Sequence, residues 1–156
     1  MTSRTPRLSL VVLVVLALSG CSSAVGADDG ASATGGTIEL AVSETCVKSA
    51  DPQCVVVNGE NVVLPSAFER AGVEDATIAE GQNAVDVTFD KAGAVVFQTL
   101  ADKAVQGGDS MRLMIKIGGQ IQAAVVVMEV SEGDQVQISA SPDKSAQELV
   151  DLIHKG

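Results

Sequence analysis

The chain has 156 residues, with twenty acidic residues against ten basic ones and a net charge of −10. That balance argues against nucleic acid, whose phosphates need clustered Lys and Arg, and against a domain lying flat on anionic lipid. It has no Trp or Tyr and only three Phe (Phe68, Phe89 and Phe97), so stacking platforms for bases or sugars are not in view.

Residues 1–20 read as a secretory signal. Arg4 and Arg7 give a basic start, and "LSLVVLVVLAL", residues 8–18, is an apolar run of eleven. Such a helix spans only about 16 Å, against a bilayer core of roughly 30 Å, so it is too short for a permanent span. Behind it stands Leu18-Ser19-Gly20-Cys21. This resembles the lipobox of bacterial lipoprotein signal peptides. The resemblance implies cleavage between Gly20 and Cys21, thioether lipidation of Cys21 and acylation (palmitate) of its new amine. The plainer alternative is an ordinary secretory signal that holds a cysteine. Two or three acyl chains anchor far more firmly than one, at about 0.8 kcal/mol per buried methylene. The expected location is the extracytoplasmic face of the cell membrane, lipid-anchored.

Residues 21–37 read as a flexible linker, since "SSAVGADDGASATGG" has one large apolar residue. Cleavage leaves 136 residues (156 minus 20), with 8 basic against 20 acidic, or −12. Residues 38–156 fit one domain. With Cys21 lipidated, Cys46 and Cys54 remain, and outside the cytoplasm an even remainder pairs. Asp51-Pro52 between them is a turn former. A redox pair is the rival reading, but such pairs sit two residues apart at a helix start.

"IELAVS", residues 38–43, alternates as a strand. "CVVVN" and "NVVL" flank Asn58-Gly59, a hairpin signal. "SAFERAG", residues 66–72, predicts one or two turns of helix: Ser66 and Glu69 have capping-box spacing, and Gly72 can cap the end. "ATIA", residues 76–79, predicts a short strand, and "AVDVTF", residues 84–89, a strand with one wet face. Asp90 is the N-cap of a helix whose apolar face is Phe97, Leu100, Ala101 and Ala104, ended by Gly107-Gly108. "RLMIKI", residues 112–117, and "IQAAVVVMEV", residues 121–130, make a second hairpin around Gly118-Gly119-Gln120. "QVQISA", residues 135–140, is expected to pair beside it. A final helix starts at Ser141-Pro142, with Ser145 and Glu148 at capping-box spacing and Ala146, Leu149, Val150 and Ile153 as its apolar face. The predicted fold class is α+β: a mostly antiparallel sheet with two amphipathic helices on one face.

Three stretches carry a family likeness: "VTFDKAGAVVFQTL" (87–100), "MIKIGGQIQAA" (114–124) and "VQISASPDKSAQELVDLIHKG" (136–156). Together they resemble the head subdomain of the first extracytoplasmic domain of SecD, a membrane subunit of protein export. The family's Ser-Ala-Pro after the hairpin is Gln122-Ala123-Ala124 here, and a glycine after Ile-Ser is Ala140. The resemblance implies a head-like domain that touches polypeptides emerging from the translocon; the expected partners are secreted polypeptides or envelope proteins.

No catalytic constellation stands out. His154 is the lone histidine and suits the end of a helix. Asp86 and Asp90, four apart on a strand, lie about 13 Å apart, too far for a glycosidase pair. "DDG" and "EGDQ" lack the alternating oxygens of a calcium loop. No metal, cofactor or enzymatic activity is expected. Met111, Met114 and Met128 read as core filling. The leading expectation is a non-enzymatic binding module with a peptide-binding surface on Leu113, Ile115, Ile117, Ile121, Val125 and Val127, although so apolar a strand also fits a central, buried position. The alternatives are a carrier of a small apolar or lipid ligand, with the scarcity of bulky aromatics leaving room for a pocket, and a structural docking module.

Overall fold

The computed structural model describes residues 35–47, 51–130 and 133–156. Residues 1–34, including Gly20 and Cys21, lie outside that range. The elements in chain order are β1 (Gly36–Glu44), β2 (Cys54–Val57), β3 (Glu60–Val63), β4 (Glu69–Ile78), β5 (Ala84–Phe89), α1 (Lys91–Gly107), β6 (Met111–Ile117), β7 (Gln120–Val125), β8 (Gln135–Ser139) and α2 (Ala146–Lys155). Six strands form one curled antiparallel sheet in the order β7-β6-β1-β4-β5-β8, and β2 and β3 form a separate hairpin. The class is α+β, as the sequence predicts.

The pleat sorts the side chains. On one face Ile38 and Leu40 of β1, Val85 and Phe89 of β5 and Leu113 and Ile115 of β6 join Leu100 of α1 and Leu149 and Ile153 of α2 in the main core. Both helices therefore lie on one face. On the other face Ala41 and Met114 meet Val57 and Val62 of the small hairpin. That hairpin turns at Asn58 and Gly59, whose φ values of 48° and 87° are those of a type I′ turn. It is held by the Arg112–Glu60 ion pair at 3.2 Å and by the Cys46–Cys54 disulfide.

The strand-to-helix junction at Asp90 is structural. Its carboxylate accepts from the Gly93 amide at 2.6 Å, and its own amide donates to the Gly72 carbonyl at 3.0 Å. A Cβ on Gly93 would strike the Gly72 carbonyl, and one on Gly72 would strike the Asp90 carboxylate. Glycine at both positions lets the first turn of α1 sit directly on β4. Phe97 then stacks on Phe89 with ring centroids 5.2 Å apart.

Five expectations are corrected. Residues 66–72 are not helical: from Glu69 the chain is β4, because Ala71 and Val73 face the core as a strand paired with β1. A bulge between Val73 and Asp75 then shifts the phase so that Ala76 is the next inward residue. The domain also starts earlier than residue 38, since Gly36 and Thr37 pair with Val73 and Gly72. β8 does not pair beside the second hairpin; it pairs with β5 at the opposite edge. Residues 121–130 are not a buried central strand: β7 ends at Val125 and is the sheet's other edge. The final helix begins at Ala146 rather than Pro142, with the predicted capping box at Ser145 and Glu148 in place.

Two predictions follow from this packing. Gly93→Ala forces α1 off β4 and should lower stability by roughly 1–3 kcal/mol in denaturant unfolding; an unchanged midpoint would show that the close approach is not rigid. The Glu148 carboxyl is held below its ordinary value, first by the Ser145 amide and then by the Ser145 hydroxyl. A depressed folded value stabilises above the unfolded value and is lost as pH falls through the folded one. The melting temperature of the chain should therefore exceed that of Glu148→Gln at neutral pH, and the gap should close in acid. A pH-independent gap would contradict the cap.

Candidate functional site

Curling brings the two sheet edges toward each other without pairing them. Between them lies a cleft of about 560 Å³, inside the usual range for ligand sites. Leu113, Ile115, Ala123 and Ile138 of the core form its floor, with Phe97 of α1 beside them. β7 and the segment after it form one wall through Val125, Val126, Val127 and Met128. β8 forms the other through Val136 to Ser139. The mouth is apolar and open: Val126 is 45% exposed and Met128 81%. An exposure that high departs from the core role expected of Met128, whereas Met114 is fully buried as expected.

Among the described residues Glu129 is the only ionisable one lining the cleft. Two basic side chains are engaged on the opposite face. Arg112 pairs with Glu60, and Lys116 pairs with Glu39 at 3.0 Å while lying 4.9 Å from the Phe68 ring centre. Lys144 donates to the side chains of Gln120 and Gln122. Among the described residues the cleft thus has no cation to receive a carboxylate or phosphate.

The β8 edge is unsatisfied in a regular way. The Ala140 amide donates to Asn83, the Phe89 amide donates to Asp134, and Val85 and Val87 oppose Ile138 and Val136. In an antiparallel ladder alternate residues bond to alternate sides. The backbone groups of Gln135, Gln137 and Ser139 therefore point away from β5 toward the seam. Among the described residues none of them has a backbone partner. The β7 edge is partly covered, since the Gln122 carbonyl accepts from Asn58 at 2.6 Å and from Ser141 at 3.4 Å.

The six residues expected to bind peptide are divided. Leu113 and Ile115 are core residues that form the cleft's floor, and Ile117 is buried in the core without lining the cleft. A bulge in the β6–β7 pairing turns Ile121 toward the small hairpin. Val125 and Val127 do line the cleft. Sequence reasoning missed the β8 wall, because nothing local shows that its strand is an edge.

The other singled-out residues serve structure. Asp86 accepts from Gln137 at 2.8 Å and Asp90 caps α1. His154 is exposed in the last turn of α2. Among the described residues no group of three His, Cys, Asp or Glu converges as a metal site, and no helix is long and apolar enough to cross a membrane. Cys46 and Cys54 form the predicted disulfide.

Comparison with protein-family models, with curated proteins and with solved structures finds no match to this chain.

The bridge joins residues eight apart. Replacing both Cys46 and Cys54 with Ser should cost roughly 2–3 kcal/mol of stability on the loop-entropy model. The loss should be absent when the parent is compared after reduction; a double variant as stable as the oxidised parent would contradict the bridge.

Proposed function

We propose that this chain is a lipid-anchored extracytoplasmic domain that binds apolar polypeptide segments in the β7–β8 cleft and makes or breaks no bonds. One observation carries the reading: an apolar cleft, flanked by strand edges, with no basic side chain among the described residues that line it. A fatty acid or an acidic phospholipid brings an anionic head that this lining does not neutralise. A polypeptide brings apolar side chains and a neutral backbone, and backbone bonds to a strand edge supply affinity that side chains need not. The acidic surface favours neutral or basic segments. The Leu18–Cys21 sequence supports anchoring, and the likeness to the SecD head supports a polypeptide as the partner. Contact with chains leaving the membrane is the role that joins these features.

The test uses the full chain in lipid nanodiscs and a labelled, permanently unfolded basic probe: reduced, carboxamidomethylated lysozyme. Val126→Asp and Met128→Asp place a charge in an exposed mouth and should leave folding intact while weakening binding about tenfold or more. Equal binding by parent and variants would overturn the reading. So would an apolar small molecule retained in native mass spectrometry and displaced by neither probe nor variant, which would make the chain a carrier.

A further inference from the structure

We infer that the bound segment joins the sheet as a seventh strand, antiparallel to β8. This rests on the cleft being a polypeptide site, and it names what the site selects. β8 reads Gln135-Val136-Gln137-Ile138-Ser139, with no proline, lysine or arginine. Exposed edges are ordinarily guarded by Lys, Pro, bulges or a covering loop. β7 has such cover at Gln122. Among the described residues β8 has none along Gln135, Gln137 and Ser139, and those residues aim three amides and three carbonyls into the seam.

The pleat sets the selectivity. Val136 and Ile138 turn inward to the core, while Gln135, Gln137 and Ser139 are exposed. Side chains on paired strands share a face. A guest residue opposite Val136 or Ile138 therefore points into the apolar floor, and one opposite Gln137 points to solvent. The guest must be apolar at every second position over about five residues, a strand's usual length. Five antiparallel pairings separate β7 from β8, so the two edges run in opposite senses. A strand between them is antiparallel to one and parallel to the other, and the open edge of β8 takes the antiparallel partner. Asp134 and Asp143 stand beyond the two ends of β8, and Glu129 lines the mouth. Lys144, the nearest cation in sequence, is held by Gln120 and Gln122. The guest's flanks are therefore Lys or Arg rather than Asp or Glu.

The probes are peptides of the form acetyl-Lys-Thr-Val-Thr-Val-Thr-Lys-amide, titrated onto the full chain in nanodiscs. Amide exchange is followed at single-residue resolution. In the inferred register the threonines share the ladder with Gln135, Gln137 and Ser139. Binding should protect those three amides. N-methylation of the threonine amides should weaken binding at least about tenfold, whereas N-methylation of the valine amides should weaken it far less. Replacing both lysines with glutamate should also weaken it. If the threonine-methylated peptide binds as well as its parent, or the three amides stay unprotected, the seventh strand is wrong while the cleft reading stands. If neither these peptides nor the unfolded lysozyme probe binds, the cleft reading itself fails.

Discussion

Helix α1 can lie on the sheet only because two glycines meet beneath it, with Gly93 of its first turn resting on the Gly72 carbonyl of β4. The rest of the topology depends on that approach. The helix crosses β4, β1 and β6 and delivers the chain to the far side of β1. At 17 residues it is about 25 Å long, enough to clear the intervening strands at roughly 4.8 Å each. The hairpin of β6 and β7 is thus built at one border. β8 returns to pair with β5 at the other. Curling faces the borders toward each other, and the strip left unpaired is the cleft. The junction Asp90–Gly93 sets this crossing through the Asp90 cap and the Gly93–Gly72 contact.

Charge is divided between the two faces in a way that suits the cleft. On the hairpin side, cations are consumed by Glu60, Glu39 and the Phe68 ring. Both pairs are partly buried. Their effect here is placement, since they keep Arg112 and Lys116 away from an apolar seam. The seam is left with valine, methionine and backbone, which discriminate by shape and by hydrogen bonding more than by charge.

Local signals in the sequence carried the turns and caps. Asn58-Gly59, Gly118-Gly119, the Asp90 cap and the Ser145–Glu148 box each depend on neighbours within a few residues, and each stands where the spacing predicts it. The helix expected at 66–72 had the same kind of local signal. It lost to pairing with β1, and the bulge after Val73 hid the alternation that would have announced a strand. Which strand lies at an edge is non-local information. "QVQIS" looks the same whether it sits inside a sheet or at its border, so the β8 wall was illegible. "IQAAVVVMEV" looked central because it is apolar, yet its last residues are apolar to line a cleft.

The central claim is that an open seam between β7 and β8 is where this protein does its work. Val126 and Gln137 line it from opposite sides. A double variant, Val126→Cys with Gln137→Cys, is treated with bismaleimides of increasing length, and the joined product is compared with the same variant capped by a monomaleimide. Sealing the seam should abolish capture of the unfolded basic polypeptide while the capped variant retains it. Capture by the sealed protein at undiminished affinity would contradict the account.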